Sequence, residues 1–302
     1  MTDFHVPILE GELVDNLITD KSGVYLDLTF GGGGHSRAIL NSLNKSGKLI
    51  VFDQDSDAIL NAERFIDKRI YFFKSNFVYF YHFLEFLKIK QVDGIFADLG
   101  VSSYQIDTAE RGFSIRFNGN LDMRMNKESK ITAHYIINNY SSQKLEKIFK
   151  EYGEFDNYKK LVSKIIYSRK EKSIDTTADF VRIVSECVHR SRINKGLAQA
   201  FQSIRIEVNN ELDSLRFFLE KSPKYLKKGG KLVVISYHSL EDRIVKRFLQ
   251  NGGSHEEAET DFYGNKLVSM AANPTKVITP SDEEIFINSR ASSAKMRVGE
   301  KI

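Results

Sequence analysis

Four short apolar runs punctuate the first hundred residues: VYLDLTF (24–30), KLIVFDQD (48–55), RIYFFKSNF (69–77) and VDGIFADLG (92–100). Between them lie SRAILNSLN (36–44), DAILNAERFI (57–66) and YFYHFLEFLKI (79–89), whose apolar residues recur at helical spacing. Strand and helix in strict alternation predict a parallel sheet with crossover helices. This rhythm constrains the fold more than any other feature, because it also fixes where a ligand binds: beyond the carboxyl ends of the strands.

The rhythm breaks after the fourth run. Residues 105–120 read as a loop. SSQKLEKIFKEYGEF (141–155), YKKLVSKIIYSRKEK (158–172) and TTADFVRIVSECVHR (176–190) read as helices. Lysine and arginine concentrate there, at KK (159–160) and RKEK (169–172), either as a solvated face or as a surface that meets phosphates. PKYLKKGG (223–230) reads as a helix end and a turn, and KLVVISYHS (231–239) resumes the strand pattern. The turn signals GN (264–265), NP (273–274) and TP (279–280) predict an antiparallel pair, with a last strand around SSAKMRV (292–298). The expected division is a sheet domain in two parts, 1–108 and 213–302, around a helical insertion, 109–212.

Composition excludes several classes. Of the 302 residues, 41% are hydrophobic and 28% charged, with a mean hydropathy of −0.33, so a core of ordinary size is available. No run approaches the ~20 apolar residues of a membrane span. MTDFHVPILEGEL lacks the basic start and apolar core of a signal peptide. A cytoplasmic, membrane-free protein is expected. The single cysteine, Cys187, precludes an intramolecular disulfide and fits a reducing compartment. One cysteine and scattered histidines give no zinc spacing, so no metal is expected. The net charge of +4 is compatible with a nucleic-acid partner.

The unusual residues sit at the strand ends. LDLTFGGGGHSRAIL (26–40) places four glycines between a strand and a helix, more than a turn needs, and each costs conformational entropy. Glycines there let a ligand touch the backbone, where the helix start offers unpaired N–H groups. The pattern is not G-x-G-x-x-G. Asp53 ends the second strand about twenty residues on, where an acid receives ribose hydroxyls; capping of the next helix suits Asp55 better. Phe77 stands where an adenine would stack, or packs in the core. Asp98 ends the fourth strand, either aimed at the cleft or in a structural capping role. In ISYHSLEDR (235–243), His238, Ser239, Glu241 and Asp242 cluster at a strand-to-helix turn, where Ser239 and Asp242 could form a capping box.

Taken together, LDLTFGGGGHS, FADLGVSSYQID, RGFS, LDMRMN, FQSIRIEVNNEL, GGKLVVISYHSLEDRIVK and NSRASSAKMR, with FHVPIL near the start, resemble the bacterial RsmH (MraW) family of 16S rRNA (cytosine-N4)-methyltransferases over nearly the whole chain. The chain departs from the family pattern at Asn126, at KGLAQAFQ, and at Ser289 and Ser292. The resemblance implies an α/β fold of class I S-adenosylmethionine (AdoMet) methyltransferase type, Rossmann-like and mostly parallel, with an inserted all-helical domain. It implies methylation at N4 of a cytosine in the decoding region of 16S rRNA in the small ribosomal subunit. Gly33, Gly34 and His35 would hold the methionine end, Asp53 the ribose and Phe77 the adenine, with Asp98 and Gln105 completing the cofactor site. Asp98, then His238, would assist the amine. Arg111, Arg116 and Arg124 in the loop after the fourth strand, with Lys295 and Arg297 in the tail, would contact RNA. Chemistry at C5 would need a cysteine beside the cleft, whereas Cys187 falls in a helix of the insertion, where packing is its expected role.

Two other classes stay open on the residues alone. An NAD-dependent oxidoreductase uses the same glycine-then-acid logic and would bind NAD in place of AdoMet. A non-catalytic ribosome-assembly factor would need the basic insertion but no intact cofactor cleft. A homodimer is also left open.

Overall fold

The computed structural model describes residues 7–63, 65–254, 262 and 268–302. The first residues of FHVPIL and the GN turn lie outside them. The chain divides into two compact units. The sheet unit comprises residues up to Gly100 and from Leu212 onward; the helical unit is Val101–Glu211. That division comes eight residues before the 108/109 boundary expected from the sequence. Residues 103–107 form a short helix with its own Ser102–Gln105 capping box, and 109–111 a 3-10 turn, so the stretch expected as loop from 105 begins in short helical turns.

In the sheet unit, α1 (Glu10–Leu17) is followed by β1 (Val24–Asp27), α2 (Gly34–Ser42), β2 (Lys48–Asp53), α3 (Ser56–Ala62), β3 (Ile70–Lys74), α4 (Phe80–Phe86) and β4 (Val92–Asp98). The helical unit holds α5 (Ser103–Asp107), α6 (Ala133–Asn139), α7 (Ser142–Glu151), α8 (Tyr158–Glu171), α9 (Thr177–Ser185) and α10 (Ile193–Asn209). After it come α11 (Glu211–Tyr225), β5 (Leu226–Ser236), α12 (Ser239–Gln250), β6 (Met270–Ala272), α13 (Asp282–Ile287) and β7 (Lys295–Lys301).

The seven strands lie in the order β3-β2-β1-β4-β5-β7-β6. The first five run parallel, and β7 is antiparallel to both β5 and β6. The central strands β1, β2 and β4 are buried almost continuously, as a sheet covered on both faces requires. Strand side chains alternate between two cores. Leu26, Ile50, Phe52, Ile95 and Val234 pack with Phe80, Leu84, Phe218 and Phe248 of α4, α11 and α12. Tyr25, Leu49, Val51, Phe96 and Val233 pack with Leu13, Leu17, Ile39 and Leu40 of α1 and α2. Each such aliphatic or aromatic side chain contributes about 1.5–3 kcal/mol on burial. A one-residue register slip would exchange the two faces.

The KKGG turn is part of β5 rather than a break before it. Val92 is opposite Leu226, but Gly94 is opposite Lys231, so the extra residues form an irregularity with Gly229 at φ 78°. The antiparallel pair expected near the C-terminus is β6–β7, and β7 contains KMRV. Thr132, Ser141 and Thr176 cap α6, α7 and α9, and the apolar faces of α6–α10 enclose Leu145, Phe149, Ile165, Phe180, Phe201 and Ile204. Cys187 lies in the turn after α9 rather than in a helix, yet it is buried in that core, and burial pushes its thiol pKa up. This is the packing position expected from the sequence.

Candidate active site

The chain passes from β1 to β2 and β3 on one side, then returns to β4 and β5 on the other. Strand order therefore reverses between the adjacent β1 and β4. Their carboxyl ends open the crevice that such sheets offer to ligands. Thr29 and Asp98 close its floor, with the Asp98 N–H donating to Thr29 Oγ1 at 2.7 Å.

The four glycines differ in what the fold asks of them. Gly31 and Gly33 have φ of 50° and 78°, a region L side chains avoid. At Gly34 a Cβ would stand 2.7 Å from Pro7 Cγ. Gly32 alone has neither reason: its φ is ordinary, it is exposed, and no described atom lies within 4 Å of where a Cβ would be. Gly33 is the N-cap of α2 and has no side chain to offer, so the first turn of that helix has no side-chain cap.

Asp27, which stands within LDLTFGGGGHS but is assigned no role from the sequence, ties the two ends of this loop. Its Oδ1 accepts the Thr29 N–H at 3.0 Å and its Oδ2 accepts the Ser36 hydroxyl at 2.6 Å. It is fully buried, and burial raises its pKa against those bonds. The one signal for it is an acid inside an apolar run, VYLDLTF.

Asp53 accepts N–H groups from Gly31 (2.7 Å) and Asp55 (2.8 Å). Each carboxylate oxygen has two lone pairs, so two bonds leave room for a pair of ribose hydroxyls. Burial pushes its pKa up to about 6. Asp55 accepts the Asp57 N–H in the first turn of α3, the capping role expected for it in preference to Asp53. At the next strand end Asn76 donates to Gln54 Oε1 at 2.9 Å, a polar pair beside Asp53 that no sequence pattern singles out. Phe77 is half-buried, edge-on to Phe218 at 5.7 Å, so it borders the core.

Asp98 is the most elaborately held group. Tyr237, directly after β5, donates its hydroxyl to Oδ1 at 2.8 Å. His35 Nδ1 lies 3.6 Å from Oδ2. The His35 ring is fixed from behind: Nε2 is 2.9 Å from the Ile8 carbonyl, which only accepts, so Nε2 carries a proton. Burial pushes the Asp98 carboxyl up to about 6; His35 and Tyr237 oppose this, while Asp27 and Glu241 add to it. Burial, then the charge of Asp98, raise the Tyr237 phenol as well, so Tyr237 is a donor at any working pH. Tyr237 stands within GGKLVVISYHSLEDRIVK, but its residue type gives no sign of this role, since a tyrosine after an apolar strand is ordinarily packing.

His238 is the N-cap of α12, one residue before the Ser239 cap suggested by the sequence. Its Nδ1 accepts the Glu241 N–H at 3.4 Å, and Glu241 Oε2 accepts the N–H of Tyr237 at 2.9 Å. The partner at N3 is therefore Glu241 rather than Asp242. His238 Nε2 has no hydrogen-bond partner among the described residues and lies 3.2 Å from Glu241 Oε1. The imidazole is thus part of the frame that sets Tyr237. Asp242 instead receives Arg297 Nε at 2.6 Å and Lys295 Nζ at 3.4 Å.

Gln105 belongs to the helical unit, where it is buried and its Oε1 accepts the Ser102 N–H at 3.0 Å. In the same unit Arg111 is buried and donates to the carbonyls of Arg124 and Met125. Arg124 spends its guanidinium on both oxygens of Asp122 and on the Lys127 and Ser129 carbonyls. Of the five cations expected at RNA, four are engaged within the protein; Arg116 stands exposed.

A sheet of this order with its single reversal at β7, a glycine loop after β1, and acids ending β2 and β4 defines a class I methyltransferase fold carrying a helical insertion. The chain belongs to the MraW methylase family, whose model matches residues 2–302. It is 48% identical over 300 residues to the ribosomal RNA small subunit methyltransferase H of Flavobacterium johnsoniae, covering 99% of this chain and 98% of that protein. The proteins of the same description from Flavobacterium psychrophilum and Bacteroides thetaiotaomicron are 50% and 48% identical, over 96% and 99% of this chain and 99% and 97% of theirs. Among solved structures, an rRNA methylase from Streptococcus thermophilus is 12% identical with a TM-score of 0.39, covering 100% of this chain and 99% of that one. The chain is a methyltransferase, and the oxidoreductase alternative falls with that assignment.

Proposed function

We propose that this protein transfers a methyl group from AdoMet to N4 of a cytosine in the decoding region of 16S rRNA, in the small ribosomal subunit. The observation that carries the reading is the constellation at the ends of β1, β2 and β4: an open backbone at Gly32, a half-engaged carboxylate at Asp53, and Asp98 clamped at the floor. The residues fit AdoMet: Gly31–Gly34 and His35 line the methionine end, Asp53 takes the ribose, and Phe77 offers an edge to the adenine. The names of the relatives support a small-subunit rRNA substrate, and the motif resemblance supports cytosine N4.

When bound, AdoMet supplies a methyl group on a sulfonium sulfur, an electrophile that needs no further activation. The work left to the chain is on the other reactant. The N4 lone pair is delocalised into the cytosine ring, so the amine attacks poorly unless it becomes pyramidal. Asp98 accepts a hydrogen bond from the amino group and favours that shape. Tyr237 holds Oδ1, which fixes the carboxylate plane and leaves its remaining lone pairs for the amine. The raised pKa makes Asp98 a better acceptor for the proton that N4 releases than an exposed carboxylate would be. Its neighbour His35 faces it with Nδ1, and His238 acts through the loop frame rather than on the base.

The test is methyl transfer from labelled AdoMet to small subunits from a strain lacking the modification, with the nucleoside identified by mass spectrometry. N4-methylcytidine at a decoding-region position is the expected product. Label in any other nucleoside, or none in rRNA, overturns the reading.

A further inference from the structure

The helical unit holds 19 Lys and Arg against 14 Asp and Glu, a net +5, while the rest of the chain is at −1. The excess positive charge of the protein therefore resides in one unit. Within it, the loop from Gly112 to Leu121 is pinned along both flanks. Ser114 Oγ accepts the N–H groups of Arg116 (3.1 Å) and Phe117 (3.4 Å). Thr177, at the start of α9, donates to the Phe117 carbonyl at 2.9 Å and accepts the Gly119 N–H at 3.0 Å. Asn118 accepts the Ala178 N–H at 3.2 Å, and the Leu121 N–H reaches the Asp175 carbonyl at 3.0 Å. Gly119 presses so closely on the Ala109 carbonyl that a Cβ would overlap it.

What this scaffold presents is Arg116 and Phe117, consecutive in the chain and both exposed. Phe113 and Ile115 of the same loop pack into the core of the unit, whereas Phe117 leaves 48% of its surface in water. A phenylalanine has no polar group to justify that position. It is an aromatic side chain on a loop whose backbone is held by five hydrogen bonds, next in sequence to an exposed arginine, on the positively charged unit.

We propose that Arg116 and Phe117 form a preformed platform for single-stranded RNA, on which Phe117 stacks a nucleobase and Arg116 holds an adjoining phosphate. Base–aromatic stacking tolerates any base, and arginine adds both charge and a planar surface. Because the loop is already ordered, little entropy is lost on binding. The inference rests on RNA being the substrate and names the element that grips it outside the reacting base. Arg111 and Arg124, from the same sequence region, are the posts of the loop rather than contacts.

The experiment is fluorescence anisotropy of a labelled 12-nucleotide single-stranded RNA of mixed sequence with the full-length protein over a range of salt. Phe117→Ala is expected to bind roughly 5- to 150-fold more weakly with an unchanged salt slope, and Phe117→Tyr to bind like wild type. Arg116→Ala is expected to lower the slope of log K against log salt by about 0.7. Calorimetric AdoMet affinity and melting temperature check that both variants are folded. Equal binding by Phe117→Ala and wild type, with folding intact, overturns the platform. So does a wild-type protein that binds no single-stranded RNA. If the platform binds RNA as expected but small subunits accept no methyl group, the platform stands and the rRNA substrate falls.

Discussion

Replacing Gly32 by alanine separates what the glycine run does for the fold from what it does for the ligand. At Gly32 the backbone is unstrained and the space for a Cβ is open. The substitution therefore restricts the unfolded chain without a folded-state cost and should stabilise the protein by about 0.4–1 kcal/mol. If the loop backbone lies against AdoMet, the same methyl group intrudes on the ligand. Overpacking of one methyl costs about 1–3 kcal/mol, which corresponds to AdoMet binding roughly 5- to 150-fold weaker. Gly33→Ala should behave in the opposite sense. Its φ of 78° and a Phe65 ring carbon 2.6 Å from the new Cβ should lower stability directly. Thermal melts and calorimetric AdoMet titrations of the two variants give both quantities. A Gly32→Ala protein that melts as predicted yet binds AdoMet as tightly as wild type would refute the argument that the backbone meets the ligand there.

The carboxylates carry further expectations. Asp98 keeps its proton to about pH 6 in the folded state but only to about 3.9 when unfolded. The folded protein is therefore penalised progressively as pH rises from about 4 to 6, and the penalty is constant above that. Asp98→Asn removes it: the variant should be more stable than wild type by about 1–3 kcal/mol at pH 7.5 and equal near pH 4, while methyl transfer collapses; lower stability at pH 7.5 would contradict this. Tyr237→Phe removes the donor to Oδ1, so the Asp98 carboxyl should titrate higher and the acid limb of the pH–rate profile should move upward at unchanged AdoMet affinity; a profile identical to wild type would show that the hydroxyl does not act on Asp98. Ser36→Ala leaves the buried Asp27 short of one donor and should cost about 1–3 kcal/mol in denaturant titrations; a neutral effect would mean that Asp27 is held by Thr29 alone.

Periodicity makes the sheet legible because its central strands are buried on both faces and read as apolar runs, whereas the helices between them show one apolar side. Residues whose type is rare at a strand end, such as Asp53 and Asp98, stand out for the same reason. Asp27 and Tyr237 do not, since their importance lies in a partner elsewhere in the chain: Ser36 and Thr29 for one, Asp98 for the other. The His238 cap escapes because serine is the commoner capping residue and histidine invites a catalytic reading. Arginine in a loop looks the same in sequence whether it faces solvent or, like Arg111, fills the interior and satisfies carbonyls.

The place of the insertion has a consequence for how the chain is made. β4 and β5 are neighbours in the sheet, yet all 111 residues of the helical unit are synthesised between them. At roughly 5–20 residues per second, the ribosome spends on the order of 6–20 seconds on that unit alone. Throughout that interval β4, which is buried along nearly its whole length in the folded protein, is the open edge of a half-built sheet. The closing strand β7, whose pairing with β5 runs from Lys231 to Ser236, emerges after the other six strands. A nascent chain of this protein is thus a client for any factor that covers strand edges until β7 has emerged.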